Sequence, residues 1–275
     1  MKRLSFILPV LILSAFILSF RAAAAGDIRV IINDTELVSD TGTYALGGNT
    51  YVPLRAFCTA MSADCRIDWD DKTRTASVSC DGLDISVCVY NNYVVANGRY
   101  LWMKNGVLIK NGRIHLPVRV LSECFGTNIA WSAASRIVSV SGGIKPITSG
   151  DKYYNSEDLL WLSRIISSES SGEPLSGQIA VGNVVLNRVA CPDFPSTIKD
   201  VIFDTAGGVQ FSPVANGTVY NEPTKSAVIA AKLVLDGAVV VSEALFFLNP
   251  DSATSFWITE NRAFVADIGA HSFYL

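Results

Sequence analysis

The stretch SEDLLWLSRIISSESSGEPLSGQIAVGNVVLNRVA, residues 156–190, holds two helical patterns separated by one break. Leu159, Leu162, Ile165 and Ile166 recur at helical spacing and make one apolar stripe. At about 100° per residue, Glu169 falls in the middle of that stripe. Ser156 reads as the N-cap, with Glu157 and Asp158 in the first turn, and Gly172 and Pro174 end the helix. A carboxylate on an apolar face, at the negative end of a helix, is driven towards its neutral form. That is the environment a general acid requires. The alternative is a glutamate at a frayed end, turned to solvent. A second helix over 177–190 supplies Ala180, Val181, Val184, Val185 and Val189 to a core, with Asn187 and Arg188 at its end.

Towards the C-terminus a third helix is expected from near Asn221, with Pro223 in its first turn, to Gly237. The segments FPSTIKDVIF (194–203) and GGVQFSPVANG (207–217) read as loop-rich, and the tail carries strand-like apolar runs, two aromatic clusters and an Asn249-Pro250 turn. RIISSESSGEPLSGQIAVGNVVLNRV (164–189), FPSTIKDVI (194–202), QFSPVANG (210–217), ALFFLNP (244–250) and IGAHSFY (268–274) occur in that order. Together they resemble the SleB-type cell wall hydrolases, the spore-cortex-lytic enzymes and their relatives, over about 155–275.

The resemblance implies a lysozyme-like α+β domain that cleaves the glycan strands of peptidoglycan, usually by lytic transglycosylation. It places the family's catalytic acid on Glu169, with Ser168 and Ser170 where the family motif has alanine. It needs no cofactor or metal. Gln210, Phe211 and Ser212 are then candidates for lining the glycan groove, or else a structured loop. Asn249 and Pro250 are expected to fix a turn beside the cleft. Trp257 is either a sugar-stacking platform or a core aromatic. His271 is expected to be structural rather than a base, and Glu173 to organise its turn through backbone amides. Arg188 either pairs with Glu173 or neutralises the helix end.

Upstream, TYVPLRAFCTAM (50–61) aligns with IHLPVRVLSECF (114–125): Pro53 with Pro117 and Arg55 with Arg119. Trp69 matches Trp131, Arg74 matches Arg136, Asn33 matches Asn97 and Gly48 matches Gly112. Two copies therefore span roughly 28–80 and 92–141, each reading strand, turn, strand, helix, strand, turn, strand. The proline is expected in the first turn of each helix. The pattern is similar to the copper amine oxidase N-terminal-like module, an appended stalk on exported proteins. It carries no histidine cluster to hold copper. In the hairpin CRIDWDDKTRTASVSC (65–80) the register faces Cys65 with Cys80, so a bridge is feasible though strained; the alternative is two packed thiols. GGIKPITSGDKYYNS (142–156) mixes Gly, Pro and Ser and reads as an interdomain linker, which makes 28–141 dispensable for cleavage of soluble fragments.

The N-terminus is basic at Lys2 and Arg3, apolar to Phe20, and ends in RAAAA, the pattern of an export signal over 1–25; the alternative is an uncleaved anchor. Its removal takes Lys2, Arg3 and Arg21 and no acid, which moves the formal charge from −3 to −6. The chain lacks a basic stripe, which excludes nucleic acid as a partner, and no later stretch is apolar enough to span a membrane. Binding to a wall must then rest on sugars and shape. Six cysteines lie beyond the signal without zinc spacing, and only His115 and His271 are available as imidazoles. The expected organisation is a two-domain chain, secreted and wall- or spore-associated: signal 1–25, a mostly β (α+β) duplicated stalk module 26–141, a linker 142–154, and an α+β lysozyme-like catalytic domain 155–275 whose partner is peptidoglycan.

Overall fold

The computed structural model describes residues 28–206, 208–253 and 255–275; the export-signal pattern lies outside the described residues. The N-terminal part opens with two hairpins, β1 (Arg29–Ile32) with β2 (Thr35–Glu36) and β3 (Tyr44–Leu46) with β4 (Asn49–Pro53). Then come α1 (Leu54–Met61) and the hairpin of β5 (Arg66–Asp70) with β6 (Thr75–Cys80). After β7 (Leu83–Cys88) follow β8 (Tyr93–Ala96) with β9 (Arg99–Trp102), β10 (Leu108–Lys110) with β11 (Arg113–Pro117), α2 (Val118–Phe125), and β12 (Asn128–Ser132) with β13 (Ile137–Ser141).

Pro53 and Pro117 stand one place earlier than expected. Both end a strand and serve as N-cap, with ψ of 124° and 128°, so each makes the corner from strand into helix. A proline has no N–H to contribute, and a helix N-terminus needs none there. Backbone geometry agrees at matched positions: Asn33 and Asn97 turn at φ 45° and 47°, and Arg74 and Arg136 at φ 54°. The sheets draw on both segments. One runs β12-β13-β1-β2, with β1 parallel to β13; another runs β10-β11-β4-β3; the third runs β5-β6-β7-β8-β9. Neither segment is closed without the other. Phe57 and Phe125 meet edge to face at 5.5 Å in the shared core, beside buried Cys58 and Cys124. Burial pushes the Cys58 thiol up to about 12 and Cys124 upward as well, so both are inert packing groups. Arg66 faces Ser79 in the β5–β6 ladder, and Cys65 and Cys80 are joined there by a disulfide with Cα atoms 4.4 Å apart.

The C-terminal part comprises α3 (Gly150–Tyr153), α4 (Ser156–Ser170), α5 (Leu175–Ala190), α6 (Ile198–Phe203), α7 (Ser212–Asn216) and α8 (Lys225–Leu235). Then follow β14 (Phe246–Leu248), α9 (Trp257–Asn261), β15 (Phe264–Ile268) and β16 (His271–Tyr274), with the sheet ordered β14-β16-β15. Asn155, not Ser156, caps α4: its side chain accepts from the amides of Glu157 and Asp158 at 2.9 and 3.1 Å. The segments read as loop-rich contain α6 and α7. Thr197 caps α6 through the amide of Asp200, a local bond that apolar periodicity does not register. The third long helix starts at Lys225 behind a Thr224 cap, leaving Asn221 and Pro223 outside it.

The segment read as a free linker is packed along much of its length. The amides of Lys145 and Ile147 donate to the carbonyls of Phe125 and Cys124, and Ile144 and Ile147 join the N-terminal core. Gly126, at φ 64°, ends α2 where an added Cβ would stand 1.9 Å from the Lys145 carbonyl oxygen. Beyond it, the Gly150 amide donates to the Asn97 carbonyl at 2.8 Å. Asp236, whose carboxylate is wholly buried at the end of α8, pairs with Arg99, accepts from Tyr154 Oη, and accepts from the Tyr100 amide at 2.9 Å. The Arg99 guanidinium also lies over the Tyr153 ring, 3.1 Å from its centroid. Tyr93, Tyr100 and Trp102 pack against the C-terminal core. No helix among the described residues is long and apolar enough to cross a membrane.

Candidate active site

The end of α4, the 171–173 turn, Arg188 of α5, β14 and the α9 region enclose an open cleft of about 1090 Å³. Helix α4 buries Leu162, Ile165 and Ile166, and this stripe carries Glu169 to the cleft wall. Burial raises the Glu169 carboxyl from an ordinary 4.5 to about 7. The flanking hydroxyls are engaged with main chain: Ser168 Oγ donates to the Arg164 carbonyl at 2.9 Å, and Ser170 Oγ to the Ile166 carbonyl at 2.7 Å. Ser168 Oγ also reaches the Thr218 carbonyl at 3.2 Å, so both hydroxyls are spent on main chain and not on the acid.

Glu173 is the second carboxylate lining the cleft, and it is held differently. Its Oε2 accepts from the Ala270 amide at 2.8 Å, and its Oε1 stands 3.8 Å from Nδ1 of buried His271. Burial moves His271 down, opposed by Glu173. Glu173 thus ties the α4–α5 turn to the β15–β16 turn. Gly269, at φ 63°, makes this possible, since an added Cβ would lie 1.8 Å from Glu173 Oε2.

Arg188 stands in the last turn of α5, and its contacts do not include Glu173. It is buried, donates from Nε to the Leu245 carbonyl at 2.8 Å, and lies over Phe194, Phe211 and Phe246. Asn183 and Asn187 of the same helix donate to the carbonyls of Ala238 and Ala244 at 2.7 and 2.9 Å. Together the three side chains pin the segment that leads into β14.

Gln210 lines the cleft, and its amide donates to the carbonyls of Ala206 and Gly208 at 3.1 and 3.3 Å, closing its own loop. Phe211 also lines the cleft, where it is buried and packs near Phe247. Ser212 is exposed at the start of α7. Asn249 Oδ1 accepts from the Asp251 amide at 3.0 Å and shapes a turn at the cleft edge. Trp257 is half exposed, with Phe246 at 6.4 Å and the Arg262 guanidinium 5.2 Å from its ring. Phe246 and Arg262 join the site without a sequence signal. Phe246 sits inside the apolar run ALFFL, and a lone arginine among polar residues carries no periodic signal.

Residues 172–274 match the cell wall hydrolase family, and residues 31–140 match the copper amine oxidase N-terminal domain. Over 106 residues the chain is 30% identical to the cell wall hydrolase CwlJ of Oceanobacillus iheyensis, covering 36% of this chain and 74% of that one. The chain belongs to the cell wall hydrolase family. The chain is also 38% identical over 120 residues to a spore cortex-lytic enzyme of Bacillus cereus, covering 44% of this chain and 45% of the relative. The chain thus spans under half the length of that curated relative. The solved catalytic domain of the germination-specific lytic transglycosylase SleB from Bacillus anthracis is 36% identical, covers 47% of this chain and 100% of that one, and superposes with a TM-score of 0.41. The family match begins at Gly172, just after Glu169. The residues of the N-terminal part do not fit copper: among the described residues no three His, Cys, Asp or Glu side chains come together to hold a metal. Its one histidine, His115, is buried against Thr41 and the Arg113 carbonyl.

Proposed function

We propose that this chain cleaves the MurNAc–GlcNAc bond of peptidoglycan as a lytic transglycosylase with Glu169 as its single acid and base. The observation that carries this reading is the contrast between the two cleft carboxylates. Glu169 is raised to about 7 by burial and faces the cleft, whereas Glu173 is committed to the Ala270 amide. A hydrolase with two flanking carboxylates needs the second one available to activate water or attack the sugar. A transglycosylase does not.

Protonated Glu169 donates to the glycosidic oxygen as the bond from muramyl C1 to that oxygen breaks. The resulting carboxylate then takes the proton of the muramyl 6-hydroxyl, and O6 closes on C1 to form a 1,6-anhydro ring. Glu169 ends protonated, ready for the next cycle. Because the nucleophile belongs to the same sugar, proximity lowers the barrier. Trp257 with Phe246 forms the aromatic face for a sugar ring, and Arg262 offers donors beside it.

The small α-helical core with a three-stranded sheet supports a lysozyme-like domain, and the matched turns and elements of the N-terminal part support a duplication. The signal pattern over 1–25 supports export, and the spore cortex-lytic relatives support action on spore cortex during germination. Mass analysis of muropeptides from digested cortex and vegetative wall tests the reaction. Anhydro-muramyl ends are expected. Reducing ends would replace the mechanism with a hydrolytic one, and no cleavage would leave a binding protein.

A further inference from the structure

The N-terminal part holds two grooves built from matching positions of its two segments. One, of about 380 Å³, is lined by Arg55, Trp69 and Gly112; the other, of about 330 Å³, by Arg119, Trp131 and Gly48. Each combines the start of a helix and a β-hairpin from one segment with a hairpin turn from the other. Trp69 is 44% exposed and Trp131 50%, at equivalent places; the Arg74 guanidinium lies over one side of the Trp69 ring, 5.4 Å from its centroid. Arg55 and Arg119 are the second residues of α1 and α2, and neither helix has an acid in its first turn. A cation at a helix N-terminus opposes the dipole. Both arginines are exposed, and among the described residues neither makes a hydrogen bond or ion pair.

We infer that the two grooves bind a glycan strand bearing carboxylate side groups, one sugar unit stacking on each tryptophan and a carboxylate meeting each arginine. The volumes fall in the range of small-ligand sites. A repeated site suits a repeating polymer, and binding at both converts the second contact into an intramolecular one. The local charge is complementary: Arg55 and Arg119 stand unpaired on a chain whose net charge without its signal is −6. This assignment rests on the proposed function for the identity of the polymer, peptidoglycan, and places a second binding site away from the cleft.

The test is co-sedimentation of the full mature chain with purified insoluble peptidoglycan, in a Glu169→Gln background so that the polymer is not consumed. The double variant Trp69→Ala, Trp131→Ala should bind about 10²-fold more weakly, and each single variant by an intermediate amount. Trp69→Tyr with Trp131→Tyr should recover most of the binding, which separates ring stacking from misfolding. Arg55→Gln with Arg119→Gln should weaken binding at low salt and flatten its salt dependence. Unchanged sedimentation in both double variants overturns the inference. So does a concentration-dependent dimer of the wild-type chain that the alanine variants abolish, which makes the grooves a contact between copies. Binding is read without turnover. A chain that binds through the grooves yet cleaves no glycan leaves the inference standing and the proposed function fallen, and the reverse pattern does the opposite.

Discussion

Glu169 keeps its proton to about pH 7 because one helix stripe carries it among apolar neighbours. Three consequences follow at this scale. Glu169→Gln should lower glycan cleavage by about 10²–10⁴-fold with the fold retained, read as product release per enzyme. The acid must be protonated to donate, so the rate on soluble fragments should fall as pH rises through about 7. Stability falls with rising pH as well. The unfolded carboxyl ionises near its ordinary value of 4.5 and the folded one near 7, so the folded state loses ground across that interval and stays penalised above it. Denaturant titrations should therefore find Glu169→Gln more stable than wild type at pH 8, by roughly 1–3 kcal/mol, and equal to it near pH 4. Ser168→Ala and Ser170→Ala should leave turnover close to wild type, since both hydroxyls bond main-chain carbonyls and not the acid.

Between elements, the site depends on one close approach. Glu173 reaches from the α4–α5 turn to the Ala270 amide across Gly269. Gly269→Ala adds a positive-φ penalty of about 1–2 kcal/mol and drives a methyl into the carboxylate. A lowered melting temperature together with lost cleavage is expected, whereas an unchanged melting temperature would show that the turn does not need this contact. In the N-terminal part, Cys65 and Cys80 close a short loop across the β5–β6 hairpin. Peptide mapping without reductant should recover them joined, and replacing both with alanine should cost at most about 3 kcal/mol. Helix α5 shows why part of the site stayed hidden. Asn183, Asn187 and Arg188 look like polar residues near a helix end, but they hold the main chain of a segment over fifty residues away.

Across the whole molecule, Arg99 and Asp236 form the electrostatic centre of the junction between the two parts. Asp236→Ala strands a buried guanidinium and should destabilise the chain by about 3–5 kcal/mol in chemical unfolding. The wild-type chain should unfold in one transition monitored by probes in either part. The composition of 142–154 suggests a tether and a freely removable stalk. The packing argues otherwise, because removing 28–141 uncovers the Tyr93, Tyr100 and Trp102 contacts and takes Arg99 from Asp236. An isolated 155–275 fragment should therefore melt below the full chain. Equal melting temperatures would restore the tether.

Local events were legible in the residue pattern. Period-3.6 spacing placed Glu169 on a buried face, period-2 alternation set the β5–β6 register, and matched Asn and Arg positions marked turns whose left-handed φ values recur. These depend on neighbours a few residues apart, which is the range that spacing encodes. Which carboxylate stays free depends on long-range packing, since Glu173 is committed by an amide 97 positions away. Long-range packing also buries Phe211 in the cleft wall and brings Arg262 to Trp257 there. Strands from the two N-terminal segments share every sheet there, and a buried Arg99–Asp236 pair joins the two parts. Those outcomes follow from long-range closure, where burial and hydrogen bonding are satisfied between residues whose separation along the chain carries no periodic trace.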